Sequence, residues 1–300
     1  MSASVLYEAQ GPRAKARNVV YTVVFLVAVA LLLWWVYSAL KEKGQLEWAL
    51  WSPFFTTEAW TTYLLPGLKN TLLAAALALV IALPLGAVLG IARLSDHAWI
   101  RVPATVVVEF FRAIPVLILM VFCLQFYYLY TGVSVDSRPM YAVVTGLVLY
   151  NASVLAEIVR AGIQSLPKGQ SEAAMAIGLR KNQMMRIVLL PQAVTAMLPA
   201  IVSQLVVIVK DTALGGAMMT FPELLSSATT MSSYYGANII QSLTVAAIIF
   251  ILVNFALTSF AGWLEKRLRR GKKSTGAVVA ADSVAELSTP GEPQDVKKTL

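Results

Sequence analysis

The sequence contains one cysteine, Cys123, and one histidine, His97, in 300 residues. A single chain with one of each builds no disulfide framework, no zinc cluster and no Cys/His catalytic pair. Charged residues are also scarce, at 13% against 58% hydrophobic, and the mean hydropathy is +0.70. Soluble domains carry about 25% charged residues, so this composition excludes a soluble fold and places the chain in a membrane. No Gly-rich P-loop pattern is present, so no nucleotide site of that kind is expected here. The formal charge of +8 would suggest nucleic acid in a soluble chain, and the location of the charges decides against it.

What the sequence has instead is long charge-free runs, at 18–40, 70–92, 113–135, 139–156, 187–209 and 224–264. Crossing a bilayer takes about 20 apolar residues, so these runs predict six transmembrane helices. The last run is too long for one helix. Its first part, Leu225 to Asn238, is rich in Ser, Thr, Tyr and Gly, which puts the sixth span at 239–264. Span one, 19–40, follows basic residues as a signal peptide would. Its apolar stretch exceeds the roughly 7–15 residues of a signal core, and it reads as a retained helix.

Of the 24 basic residues, nineteen fall on one side of the alternating spans and five (Lys41, Lys43, Lys69, Arg138 and Lys210) on the other. Cytoplasmic segments keep the positive charge, which predicts both termini in the cytoplasm and basic anchoring to lipid rather than to nucleic acid. After Trp263, the run from Glu265 to Lys273 meets the inner leaflet. Residues 274–300 are small, polar and interrupted by Pro and Gly, with too little apolar surface to fold.

One cytoplasmic connection, 164–190, is far longer than a helix bundle needs. Pro167 and Gly169 mark a turn, Ser171 is a candidate N-cap, and Glu172 in the first helical turn favours the helix dipole. Gly178 then ends a short helix, and a second runs from about Asn182 into span five. Ala173, Ala174, Ile177, Met184 and Met185 offer an adaptable apolar surface, either for a docking partner or for the membrane face.

The spacing Glu172-Ala173-Ala174, three residues, Gly178, nine residues, Val188, one residue, Leu190-Pro191 resembles the E-A-A loop of binding-protein-dependent ABC transporter permeases. The resemblance runs from about Leu68 to Trp263 and is most similar to the polar amino-acid branch. Gly67 with Thr71-Leu72, Arg112-Ala113-Ile114-Pro115, Ala156-Glu157-Ile158 with Arg160, Leu190-Pro191-Gln192-Ala193 and Lys210-Asp211-Thr212-Ala213-Leu214 carry it. Ala113 and Ile114 replace the branch's usual Gly and Thr, and Ser203 stands where Asn is common.

The resemblance implies an all-helical permease of the type I importer fold, a five-helix core preceded by one extra helix. Its expected layout is a cytoplasmic tail 1–18, an extra span 19–40, an extracytoplasmic loop 41–66, the permease core 67–264 with its coupling loop, and a basic, disordered cytoplasmic tail 265–300. It implies a transport subunit in the cell membrane rather than an enzyme. ATP and Mg²⁺ sit on a separate ATPase dimer, this chain holds no cofactor or metal, and a second permease and an extracytoplasmic amino-acid-binding protein complete the assembly. Glu172, Ala173, Ala174, Gly178, Leu190 and Pro191 are the implied ATPase-coupling residues. Asn151, Ser203, Gln204, Lys210, Asp211 and Thr212 are candidate pathway residues.

Polar groups inside a bundle either line a path or join helices, and Asn151, Ser203 and Gln204 admit both readings. Lys210 and Asp211 either satisfy each other at the outer end of span five or form an outer gate. Glu109–Arg112 and Glu157–Arg160, each three apart, read as ion pairs at hinge elements, and Pro84 reads as a kink in span two. A neutral Gln204 leaves the path open to a carboxylate, so glutamate or aspartate is the expected substrate, with glutamine or a basic amino acid as alternatives. An ion-coupled secondary transporter would need ionisable groups that the charge-free spans lack. An enzyme would need partners for the isolated His97 and Asp96.

Overall fold

A computed structural model describes residues 11–236 and 238–270. Among these residues every regular element is helical: α1 Pro12–Glu42, α2 Trp48–Trp51, α3 Leu65–Ala92, α4 Ala98–Ala113, α5 Val116–Tyr130, α6 Arg138–Gln164, α7 Lys168–Ala176, α8 Lys181–Met184, α9 Leu190–Met219, α10 Leu224–Tyr234 and α11 Ile239–Arg270. Lipid offers no hydrogen bonds to the backbone, and helices satisfy theirs internally. Wide turns over Ala59–Leu64 and Met185–Leu189 lead into α3 and α9.

Five stretches are long and apolar enough to cross a membrane: Pro12–Glu42, Ala59–Ala92, Arg138–Gln164, Lys181–Met219 and Ile239–Trp263. The remaining expected span, 113–135, falls in a bent pair, α4 and α5, which meet at 99° and bring the number to six if the pair counts as one span. Pro115 is the cause: a residue preceding proline is pushed out of the helical region, and Ile114 is extended at ψ 129°. The 15 residues of α5 reach only about 22 Å. Trp99, Val102, Val106 and Phe110 of α4 are exposed along one face while Ala104 and Val108 are buried on the other, a pattern suited to lying at a lipid surface.

The sixth span begins at Ile239 as expected, with α10 set off before it. α11 continues to Arg270, and the expected tail lies outside the described residues beyond that point.

The bundle centres on α3 against α6. Ala74, Ala78, Ala82, Gly86 and Gly90, four apart, form a buried stripe of small residues along α3. Between helices in lipid the hydrophobic effect is absent, and small residues allow the close backbone approach that packing needs. A Cβ added at Gly86 would lie 2.7 Å from the Ala152 carbonyl oxygen, and one at Gly90 would lie 2.6 Å from that of Ala156. α3 runs unbroken through Pro84. At its other end α10 is pinned down: Asn70 Nδ2 donates to the Pro222 carbonyl at 2.8 Å, and the Leu224 amide donates to Thr71 Oγ1 at 3.1 Å. The buried Glu223 carboxylate caps α10, accepting from the Leu225 and Ser226 amides at 2.7 Å.

α1 buries none of its residues. Its connection is held by α11 and the segment before it, where Gln241 Nε2 donates to the Gln45 carbonyl at 2.6 Å and Asn238 Nδ2 to the Leu50 carbonyl at 3.0 Å.

Gly86→Val forces α3 and α6 apart and should cost about 1–3 kcal/mol or more. A fall in the thermal midpoint of the detergent-purified protein, without a comparable fall for Gly11→Val, whose added Cβ meets no atom within 4 Å, is the expected result.

A candidate docking elbow and candidate membrane pathway

The elbow α7–α8 is shaped by one glycine. After α7 the chain turns at Gly178, whose φ is +78°. The Gly178 amide donates to the Met175 carbonyl at 2.9 Å and the Leu179 amide to that of Ala174 at 3.1 Å. These paired bonds close the helix end on a left-handed residue, the geometry that favours glycine. A Cβ there would meet no atom within 4 Å, so the backbone demands glycine while its outer side stays open. α7 starts four residues earlier than a Ser171 cap would place it, after Pro167. Ser171 lies within the helix, and its Oγ donates to the Lys168 carbonyl at 2.7 Å instead of capping.

Glu172 and Ala173 are exposed on α7, as are Met175 and Ile177, the last at 77%. Ala174 and Met184 are not part of that surface. They are 3% and 7% exposed, packed with Val159, Ile163, Leu189, Ala193 and Met197 from α6 and the start of α9. Part of the elbow's apolar surface thus faces its own core, while Met175 and Ile177 stay outward. Leu190 is half-buried against this cluster and Pro191 is exposed beside it, at the base of α9. Gln192 Nε2 ties that base to α7 through Gln170 Oε1 at 3.1 Å.

At the same end of the bundle stands a five-membered ion cluster. The two pairs expected from spacing are present: Arg112 Nη1 lies 3.5 Å from Glu109, and Arg160 Nη2 lies 2.5 Å from Glu157. Arg93, at the end of α3, joins them, reaching Glu109 and Glu157 at 2.8 Å each with its side chain only 8% exposed. A charge so far removed from water needs partners of opposite sign. Arg112 is held more loosely, 3.6 Å from Glu157 and 37% exposed. Arg93 escaped the reading by spacing because its acids lie 16 and 64 positions away.

Deeper in the bundle, Asn151 and Gln204 form a buried pair. Gln204 Nε2 donates to Asn151 Oδ1 at 2.6 Å, and Asn151 Nδ2 donates to the Leu147 carbonyl at 2.8 Å. Asn151 is fully buried and joins α6 to α9. Gln204 also borders a cavity of about 490 Å³, with Arg112, the Ala113–Pro115 corner, Tyr150 and Asp211. Ser203 is exposed and donates to the Pro199 carbonyl at 3.0 Å, and Thr212 is buried with its Oγ1 donating to the Val209 carbonyl at 2.7 Å. Neither borders that cavity.

Lys210 and Asp211 lie well inside α9, which runs on to Met219, and not at its outer end. No salt bridge joins them among the described residues. Adjacent helical side chains point about 100° apart, so Asp211 faces the cavity while Lys210 is exposed. Arg112 and Tyr150 were not among the expected pathway residues.

Residues 82–270 match the family described as the binding-protein-dependent transport system inner membrane component. The chain belongs to this permease family. The glutamate transport system permease protein GluD of Corynebacterium glutamicum is 46% identical over 78% of this chain and 85% of its own. The glutamate/aspartate import permease protein GltK of Escherichia coli O157:H7 is 30% identical over 68% of this chain and 93% of its own. A solved amino acid ABC transporter, crystallised with histidines, superposes with a TM-score of 0.61 at 26% identity, over 69% of this chain and 95% of that one.

The permease is therefore a multi-pass membrane protein and a transport component, not an enzyme; in this family ATP is hydrolysed on a separate subunit, and an ATPase and a substrate-binding protein are its partners.

Replacing one member of the Asn151–Gln204 pair strands the other in an apolar setting. In the permease, Gln204→Leu should lower stability by about 1–2 kcal/mol. The double variant with Asn151→Leu should cost less than the sum of the single losses, as read from unfolding in mixed detergent.

Proposed function

We propose that this permease carries an acidic amino acid, glutamate or aspartate, across the cytoplasmic membrane. It works as one of two permeases, identical or homologous, driven by an ATPase dimer docked on the α7 elbow and supplied by an extracytoplasmic binding protein. Both termini are cytoplasmic. The reading of the substrate rests on one observation above all, the kinship with the Corynebacterium glutamicum glutamate permease over most of both chains.

The chemistry of the cavity agrees with it. Arg112 meets both its acids through Nη1, at 3.5 and 3.6 Å, so Nη2 and Nε are the groups it offers a carboxylate in paired fashion. Asp211 on the same cavity suits the ammonium group, and Gln204 adds no negative charge. A cavity of about 490 Å³ is in the size range of small-molecule sites. The orientation rests on the eight basic residues that the α3–α4 turn, α4, α6 and the elbow bring near the inner ends of the helices, Arg93, Arg101, Arg112, Arg160, Lys168, Arg180, Lys181 and Arg186.

For the elbow, exposed Glu172 and Ala173 beside the open side of Gly178 give the ATPase a surface that accepts close approach. Cells with and without the gene, given labelled glutamate, aspartate, glutamine and arginine, should differ in ATP-dependent uptake of glutamate and aspartate. A difference confined to arginine overturns the substrate assignment. Gly178→Asp should bring uptake to background at normal membrane abundance: an added Cβ there meets no atom within 4 Å, and aspartate is among the few residues that visit a left-handed backbone, at a strain glycine does not carry, so the added charge and bulk fall on the docking side. Wild-type uptake by that variant removes the elbow from the drive.

A further inference from the structure

The turn between α3 and α4 is seized from three sides. From α8, Lys181 Nζ donates to the Leu94 carbonyl at 3.1 Å and forms an ion pair with Asp96. From α4, Arg101 Nη1 donates to the Ser95 carbonyl at 3.0 Å and that of Asp96 at 3.4 Å. From the end of α3, Arg93 reaches Glu109 on α4 and Glu157 on α6. The carbonyls of Leu94, Ser95 and Asp96 all accept from cations, and the turn is bound to α4 at both ends of that helix. Among the described residues, Lys181 alone brings the elbow a charged hold on this assembly.

The surroundings make that hold matter. Ile91 and Leu94 touch the apolar cluster under the elbow, but a cavity of about 470 Å³ opens between the turn and α8, bordered by Ile100, Asn182 and Met185 as well as by the paired residues. Where side chains do not fill the gap, the polar bridge spans it. The hydrogen bond from Lys181 and its charge hold the Asp96 carboxyl below the usual carboxylate range, so the bridge stays charged at neutral pH and is lost as pH falls through that lowered value. The Lys181 and Asp96 side chains are 42% and 73% exposed. Exposed pairs add little to stability, so this one fixes geometry and is not what holds the fold together.

We propose that Lys181 and Asp96 are positioning residues that transmit displacement of the docking elbow to α4, and through α4 to the 99° corner at Ile114–Pro115 beside the pathway cavity. The inference rests on the reading of the elbow as the ATPase dock. α8 moves with α7 across the Gly178 turn. Without the bridge, the elbow still drives the base of α9 through the packing of Ala174 and Met184, but α4 and the corner no longer follow. ATP is then consumed with less substrate moved.

The test uses the complete transporter, with its ATPase, second permease and binding protein, in proteoliposomes. It compares Asp96→Asn, Lys181→Met and the exchanged pair Asp96→Lys/Lys181→Asp, reading labelled glutamate taken up per ATP hydrolysed. Each single variant should assemble and hydrolyse ATP at the wild-type basal rate while this ratio falls at least about fivefold, and the exchanged pair should recover most of it.

Wild-type ratios in the single variants overturn the inference, as does an exchanged pair no better than either single. A loss confined to assembly or abundance, with the ratio unchanged, overturns it too and leaves the bridge a structural contact. Gly178→Asp is the control: if it transports normally, the elbow reading itself fails. If it is inactive while the bridge variants keep their ratio, only the transmission route fails.

Discussion

The contact between α3 and α6 sets the rest of the bundle. Along it, Gly86 and Gly90 bring one backbone so near the Ala152 and Ala156 carbonyls that a methyl group finds no room. Two long helices in lipid gain nothing from leaving water together, so close dispersion contact along a small-residue stripe is what holds them. Once α6 is fixed in this way, its buried face is fixed too. Asn151 then points at α9, and Glu157 stands within reach of Arg93. The polar pair, the ion cluster and the cavity all take their positions from a seam that has no polar side chains of its own at Gly86 and Gly90.

The end of the bundle near Glu157 shows the opposite economy. There the charges crowd together, and each buried one is met. Arg93 bridges α4 and α6 by two short contacts, whereas Arg112, the looser member, is turned toward the cavity. The elbow adds a backbone device to this electrostatic one, since its reversal depends on a single left-handed residue. A tightly packed seam and a charged end with a glycine reversal thus divide the chain into two parts held by different forces.

Features governed by local sequence were legible in advance. Gly178 ending a short helix, the restart at Ile239, and the acid–base pairs three residues apart all follow from helix periodicity and turn chemistry, and the structure contains each of them. The 99° corner was written in Ile114-Pro115, yet the surrounding charge-free run masked it, because hydropathy measures length and not direction. The stripe from Ala74 to Gly90 was equally visible as a repeat of four, but small residues carry no signal on a scale of apolar runs. Ala174 and Met184 looked like surface because amphipathicity does not say which side of a short helix meets its own protein. The roles of Arg93 and Lys181 were out of reach, since their partners lie 16 to 87 positions away and only the folded chain brings them together.

α1 stands apart from all of this. It buries no residue, and the segment after it is moored by hydrogen bonds to the region where α11 begins and by Phe54 packed among Leu224, Ala228 and Ala246. Because every side chain of α1 stays outside the packed core, probes fixed along it would report the neighbouring lipid and leave the turnover of the core unseen.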